Sequence, residues 1–241
     1  MERKKFLKNS LGLIGIGSIL AEACTKEPAA SELLSSANAE NAAAACITTP
    51  QETPGPYELD LIQNSAIFRS NITEGKTGIP LNLKLRIVDS NNNCTPIQGA
   101  RVDIWHCDKD GYYSGFKEPG YLGEMDLTGQ TFLRGIQLSD ANGLVVFNTI
   151  YPGWYSGRIT HIHLEVFINS VSKKTTQIAF PDKLNPKVYT TPLYTGHGAN
   201  TSVRNNVSDL VFKDSINDEL VTIVSASEAG IAAKFTVGVP L

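Results

Sequence analysis

The chain has 241 residues and a net charge of −3, with 41% hydrophobic and 19% charged residues. These values are typical of a globular protein with one core domain plus extra segments. A slightly acidic chain offers no large basic field, so we expect no nucleic-acid partner and a function that depends on local chemistry.

Residues 1–23 have the composition of an export signal. A basic run, ERKKFLK, precedes the apolar stretch LGLIGIGSILAEA, which falls short of the roughly 20 residues of a membrane-spanning helix. The run RKKFL from Arg3 resembles a twin-arginine signal with lysine in the second basic place. Cys24 then resembles a bacterial lipoprotein processing site, although Glu22 is unusual so close to it. We therefore expect an exported, periplasmic or cell-envelope lipoprotein, attached to a membrane only through a lipid at Cys24; a plain cleaved signal is the alternative.

Residues 24–45 predict a flexible tether between this signal and the folded domain. The segment is built from Ala, Ser, Asn and Glu and lacks the large apolar residues of a core. A short Ala-rich helix, marginal on its own, is the alternative. The folded domain is expected over residues 46–241.

Three further cysteines, Cys46, Cys94 and Cys107, belong to that domain. In an exported protein one disulfide is expected, but the spacing does not select the pair. No two of these cysteines form a CxxC motif, which argues against a cysteine zinc site.

From Leu81 onward, apolar and polar residues alternate in short runs separated by turn residues. The runs with this period of two are 81–88, 100–107, 132–140, 143–150, 161–168, 175–180, 210–214 and 232–239. Residues 169–174 are expected to be a turn, and no helical periodicity of three or four turns follows residue 46. Many short strands predict an all-β fold, a sandwich or a barrel. The long irregular stretch 181–208 is expected to carry function or to shape access to it.

Two of the four histidines, His161 and His163, lie one residue apart in a predicted strand. Side chains at i and i+2 of a strand point to one face, so these imidazoles form a candidate pair of metal ligands. Tyr155 follows a nearby Pro-Gly turn, and Tyr113 lies just past another strand end. A deprotonated phenol suits a hard cation such as Fe(III), whereas zinc takes Cys, His and carboxylate. An exposed polar strand face is the alternative for the histidine pair alone.

Four stretches, taken in order, carry a resemblance to a known family: TPQETPGPY (49–57), 94–116, 132–166 and TTQIAF (175–180). They contain a D-x-x-G-x-Y-S-like turn, a P-G-x-Y turn and R-x-x-H-x-H. This combination resembles the intradiol ring-cleavage dioxygenases, the protocatechuate 3,4-dioxygenase-like family, and among them the small exported single-domain members. The resemblance implies a β-sandwich core of Greek-key type with long loops.

The resemblance also assigns roles to particular residues. It implies four iron ligands, and these fall on Tyr113, Tyr155, His161 and His163. It places Arg158 beside them.

The resemblance also makes Arg158, Gln177 and the ligand Tyr155 catalytic residues. Three further residues match the segment that borders the substrate pocket, namely Gly55, Pro56 and Tyr57. The family usually has Glu before that Gly-Pro, whereas this chain has Pro54. Trp154 is a further candidate to line the pocket.

The function that the resemblance implies is ring cleavage of a small aromatic diol. One Fe(III) per chain would support cleavage of a catechol by O2 between its two hydroxylated carbons, giving a cis,cis-muconate-type diacid. Which catechol is the substrate and how many chains assemble stay open.

One alternative belongs to a different class. The runs PIQGARVDIW and LSDANGLVVFNTIYPGWY also resemble transthyretin-like and carboxypeptidase-regulatory-like β-sandwich modules, which bind no metal. In such a module Tyr155 would be a structural turn residue. The module would not explain why Tyr113, Arg158 and the two histidines occur together.

Overall fold

The computed structural model describes residues 46–241. The expected export signal, the tether and Cys24 lie outside the described residues. Among the residues described, no helix is long and apolar enough to cross a membrane.

The described chain is built almost entirely from strands. In chain order these are β1 (Pro80–Asp89), β2 (Thr95–Pro96), β3 (Arg101–Trp105), β4 (Lys117–Gly120), β5 (Gly123–Asp126), β6 (Arg134–Leu138), β7 (Leu144–Ile150), β8 (His161–Ile168), β9 (Val171–Ala179), β10 (Thr222–Ser227) and β11 (Gly230–Val239). The one α-helix within residues 46–241, α1 (Asn185–Tyr189), is little more than a single turn, and short 3-10 turns occupy Ser65–Ile67, Asn206–Ser208 and Ile216–Asp218. The expected all-β class is confirmed.

The strands form two main sheets and a separate hairpin. In the first sheet the order is β10-β11-β1-β2, and β7 also pairs with β1. Strands β1 and β11 run parallel, whereas β7 lies antiparallel to β1. The second sheet has the order β6-β3-β8-β9 and is antiparallel throughout. Strands β4 and β5 pair only with each other.

The core lies between the two main sheets, where their alternating apolar side chains meet. Leu83 and Leu85 of β1 belong to one fully buried cluster with Val102 of β3 and with Ile162 and Leu164 of β8. Because side chains alternate along a strand, this packing turns the intervening residues of β3 and β8 to the opposite face of the second sheet.

That opposite face is also buried, which is unusual for an antiparallel sheet. The N-terminal segment of the described chain runs along the edge strand β9, where Glu52 N donates to Thr175 O at 2.9 Å, and then crosses this face, where Gly55 lies against the His163 ring. A disulfide between Cys46 and Cys94 attaches the start of this segment to the turn after β1, which identifies the pair; Cys107 is a free, buried thiol. Polar side chains on the outer face of β8 are therefore enclosed.

The structure corrects one strand and one turn expected from the sequence. Residues 210–214 form consecutive turns instead of a strand, because the Asp209 carboxylate accepts a bond from Val211 N and the Phe212 ring is buried in a small cluster. The turn expected over 169–174 is shorter, since β9 already begins at Val171. Asn169 and Ser170 both have positive φ, as a two-residue hairpin turn requires.

Candidate metal centre and active site

The first strand of the site is β8, which presents His161 and His163 on its outer face. Ile162, between them, points into the core, as the period of two predicts. Both imidazoles are buried, and their Nε2 atoms lie 3.0 Å apart. The expected juxtaposition of the two rings is thus present.

A tight turn after β3 delivers Tyr113. The Asp108 carboxylate accepts bonds from the backbone N–H groups of Asp110 and Tyr112, at 3.1 and 3.0 Å, and so closes the turn. Gly111 has a φ of +93° there, and any Cβ would collide with the backbone oxygen of Trp154. Tyr113 leaves this turn fully buried, with its hydroxyl 3.3 Å from His161 Nε2.

A second turn, which follows β7, delivers Tyr155. Gly153 packs against the backbone of the first turn, since a Cβ would lie 2.6 Å from the Asp108 carbonyl oxygen. The turn is closed where Arg158 N donates to Tyr155 O at 3.1 Å. The Tyr155 hydroxyl also lies 3.3 Å from His161 Nε2.

Four side-chain atoms therefore converge: two phenol oxygens and two imidazole nitrogens. Measured from His161 Nε2, the other three lie at 3.0–3.3 Å. Ligands held about 2 Å from one metal ion and at right angles to one another are about 3 Å apart, so the spacing fits a single ion. Within residues 46–241 no three or more His, Cys, Asp or Glu side chains are grouped to hold a metal, so a metal site requires the two tyrosines.

The protonation of the imidazoles suits metal binding. Burial, reinforced by the nearby Arg158 guanidinium, holds the pKa of His161 and of His163 well below the ordinary value, so both rings are neutral. His161 Nδ1 lies 2.6 Å from Ile159 O and must donate to it, which leaves a lone pair on Nε2.

The phenols need a cation before they ionise. Burial raises the pKa of Tyr113 well above its ordinary value, with the neighbouring Tyr155 adding to the effect. Burial also raises the pKa of Tyr155 to about 12, although Arg158 opposes the rise. A bound cation inverts this preference, because its charge stabilises a phenolate at short range.

Aromatic rings fix the orientation of the four side chains. Trp105 of β3 stacks on His163 with ring centroids 5.2 Å apart, and Tyr57 stacks on Tyr113 at 4.2 Å. Gly55 approaches so closely that a Cβ would lie 3.0 Å from His163 Cε1. Of the three residues predicted to border the substrate pocket, Tyr57 lines the adjacent cleft, Gly55 contacts His163 without lining the cleft, and Pro56 is exposed and does not line it.

Comparison with known proteins places this centre in a family. A family model described as Dioxygenase matches residues 53–230. A solved structure titled intradiol ring-cleavage dioxygenase from Tetranychus urticae is 31% identical, with a TM-score of 0.70 over 81% of this chain and 95% of that chain. The chain belongs to the intradiol ring-cleavage dioxygenase family.

Two curated proteins support the same membership over shorter stretches. Catechol 1,2-dioxygenase 1 of Acinetobacter lwoffii is 25% identical over 148 residues, and chlorocatechol 1,2-dioxygenase of Rhodococcus opacus is 30% identical over 105 residues. The matches cover 54% and 36% of this chain. The chain spans less than half the length of either relative, 45% and 38% respectively.

A cleft of about 470 Å³ reaches the centre of this intradiol family member. Tyr57 and Tyr155 form its inner wall, and Trp154 lies beside them. Trp154, predicted to line the substrate pocket, thus lies in the lining of this cleft. His197 is stacked between Trp154 and Tyr121, with ring centroids 4.1 and 4.6 Å apart.

A second cavity, of about 500 Å³, lies on the same sheet face beyond the Trp105 indole. Asp103 and Glu165 line it, and burial raises the pKa of Asp103 to about 7. None of the four converging side chains borders this cavity, so we assign the candidate active site to the cleft beside Tyr155.

Arg158 and Gln177 lie together beside the centre, as the family resemblance implies. Arg158 Nη2 donates to Gln177 Oε1 at 2.7 Å, and Gln177 Nε2 donates to Thr53 O at 2.8 Å. Arg158 Nη1 lies 3.4 Å from His161 Nε2. One partner was not predicted from the sequence: the Asp209 carboxylate, which accepts from Arg158 Nε on the other side of the guanidinium. In the sequence, Asp209 is marked only as an acidic residue directly after the irregular stretch 181–208, and it lies 51 positions from Arg158.

Proposed function

We propose that this chain is a non-haem Fe(III)-dependent intradiol dioxygenase that cleaves a catechol-type ring between its two hydroxylated carbons. The product is a cis,cis-muconate-type diacid that contains both atoms of O2. The observation that carries the proposal is a convergence of four atoms: the hydroxyl oxygens of Tyr113 and Tyr155 and the Nε2 atom of His163 each lie 3.0–3.3 Å from His161 Nε2. A metal-free binding module would not account for these four converging ligand atoms.

Tyr113, Tyr155, His161 and His163 would hold one Fe(III) per chain. Fe(III) held there would supply Lewis acidity and a template that make a bound catechol reactive towards O2. Two phenolates and two neutral imidazoles leave a net charge of +1, which suits a dianionic catecholate.

The remaining chemistry belongs to the chain. Tyr155 borders the cleft, so its Oη is placed to take the proton of an entering catechol hydroxyl. Arg158, through Nη1, faces the same point and stabilises negative charge that develops on the ring. Gln177 orients the guanidinium by accepting its Nη2–H bond. Tyr57 and Trp154 form apolar walls that orient the ring and exclude water.

Oxygen uptake against a panel of catechols, with the ultraviolet spectrum and mass of each product, tests the proposal. We expect one O2 consumed per catechol, a colourless diacid and a coloured protein with phenolate-to-iron absorption that changes in Tyr155→Phe. A yellow semialdehyde product, or a colourless protein that contains stoichiometric iron, would show the proposal to be wrong.

We further propose that the chain acts outside the cytoplasm, with residues 1–23 as export signal, 24–45 as tether and a lipid at Cys24. The Cys46–Cys94 disulfide supports this location, because such bonds persist in oxidising compartments. Cell fractionation of the full-length protein and of Cys24→Ser tests it. We expect the wild type in the membrane fraction and the variant in the soluble exported fraction; recovery of the wild type in the cytoplasm would contradict the proposal.

A further inference from the structure

Arg158 is held from two opposite sides, and only one of them is the glutamine that the family resemblance assigns. On the other side the Asp209 carboxylate accepts from Arg158 Nε at 3.0 and 3.1 Å, one distance to each oxygen. Asp209 is fully buried, whereas the Arg158 side chain is 15% exposed. A buried carboxylate is stable only where its charge is paired and its lone pairs are satisfied.

The backbone fixes the position of that carboxylate. Its Oδ2 accepts from Ile159 N at 2.7 Å, and its Oδ1 accepts from Val211 N at 2.9 Å. One bond reaches the residue next to Arg158 and the other the residue two positions after Asp209. Asp209 therefore ties the end of the long segment before it to the turn that precedes β8.

Hydrogen bonds to Asp209 and Gln177 occupy two of the three guanidinium nitrogens of Arg158. Nε is occupied by Asp209 and Nη2 by Gln177, so Nη1 is the nitrogen that faces His161 Nε2, at 3.4 Å. A planar guanidinium held at two of its three nitrogens cannot rotate, and the third is aimed at the converging ligand atoms.

We propose that Asp209 is a positioning residue for catalysis: it acts through Arg158 and sets the direction in which Nη1 presents its charge to the reacting ring. This inference rests on the proposed intradiol activity. It predicts that loss of the Asp209 charge lowers kcat with little change in KM, because a guanidinium that can swing away stabilises the developing charge poorly but leaves the pocket intact.

Asp209→Asn is the decisive variant, since its amide oxygen can still accept from one of the two backbone N–H groups, whereas the charge and the second acceptor are lost. We expect kcat to fall about 100-fold and KM to change less than about threefold, with iron content unchanged. Asp209→Glu keeps the charge but moves it by one methylene, and we expect it to fold and to lose part of kcat. Asp182→Asn is the matched control: Asp182 accepts only from a backbone N–H, that of Asn206, at 2.8 Å in the same long segment, and this variant should keep the wild-type kcat.

A double-mutant cycle separates this role from a general structural one. Arg158→Lys should lower kcat by itself, and adding Asp209→Asn to it should cost less than a further threefold or so, because the two residues act as one unit. Three results would overturn the proposal. The kcat losses of the two single variants could multiply in the double variant, Asp209→Asn could keep the wild-type kcat, or Asp209→Asn could lose no more kcat than Asp182→Asn.

A readout without turnover keeps the inference distinct from the proposed function. In metal-free protein, the Arg158 Nε–H signal in 15N-edited NMR should exchange slowly with solvent in the wild type and at least about tenfold faster in Asp209→Asn. If the wild type cleaves no catechol but this difference is present, the proposed function fails while the positioning contact stands. Equal exchange in the two proteins overturns the inference even if the enzyme is active.

Discussion

Replacement of Cys94 by serine removes the disulfide that closes a loop spanning 48 positions, which includes the core strand β1. The cystine restricts the unfolded chain, and a loop of that length corresponds to about 4 kcal/mol in the free energy of unfolding at 25 °C. We therefore expect Cys94→Ser to lower the free energy of unfolding by about this amount, or by somewhat less if the unfolded chain keeps residual structure.

The same change should loosen the border of the candidate active site. Cys46 begins the segment that carries Gly55 and Tyr57 to the metal centre. After the disulfide is lost, backbone bonds still hold the segment, among them Thr49 N to Gly238 O at 3.0 Å. We expect the variant to fold, to keep its iron and to bind catechol less tightly, so that KM rises more than kcat falls.

Urea unfolding of the wild type with and without dithiothreitol measures the effect. The reduced wild type should match Cys94→Ser, and the variant should not respond to reductant. Cys107→Ala is the control, because it lacks the free buried thiol but keeps the cystine, and it should remain as sensitive to reductant as the wild type. A loss below about 1 kcal/mol in Cys94→Ser would refute the reasoning, since the cystine would then constrain little.

Three further predictions concern single side chains. Burial raises the pKa of Glu219 from 4.5 to about 7, so the free energy of unfolding should fall as pH rises between these values, by up to about 2 kcal/mol after a discount for solvent screening. Glu219→Gln should abolish this part of the pH dependence in urea unfolding at about pH 5 and about pH 8; an unchanged slope would contradict the assignment. Gly55→Ala, at a φ of +75° and 3.0 Å from an imidazole of the centre, should cost more than the about 1–2 kcal/mol of backbone strain and lower iron content, whereas Gly129→Ala, at a φ of +79° in open space, should cost only that strain. Tyr113→Phe should lose most of its iron by elemental analysis while the neighbouring Tyr112→Phe keeps it, and equal losses would place the wrong phenol at the centre.

The parts of the site that the sequence predicted are those encoded by local pattern. The period of two in β8 places His161 and His163 on one face whatever the rest of the fold does. The two tyrosines follow turns whose Gly, Pro and Asp residues are legible in the sequence. That these segments meet at one point came from the resemblance to the family and from no spacing in the chain.

The parts that were missed depend on contacts distant in sequence. Residues 210–214 alternate like a strand, yet the Asp209 carboxylate and the burial of Phe212 turn the backbone there. The hairpin of β4 and β5 is largely exposed and therefore shows no apolar pattern. The pair of Asp209 with Arg158 joins positions 51 residues apart, and nothing local to either marks the other.

The outer face of β8 explains why the metal centre needs the segment before β1. A strand with polar residues at alternate positions normally turns them to water, and the histidine pair alone predicts such a face. Here the pair is enclosed, because residues far upstream lie over the sheet and bring Gly55 against His163. Enclosure keeps both imidazoles neutral and makes each phenol reluctant to ionise without a cation. The ligand set is therefore selective for a highly charged ion only while the segment before β1 covers it. Variants that release this segment from the sheet should lose metal before they lose the sandwich fold.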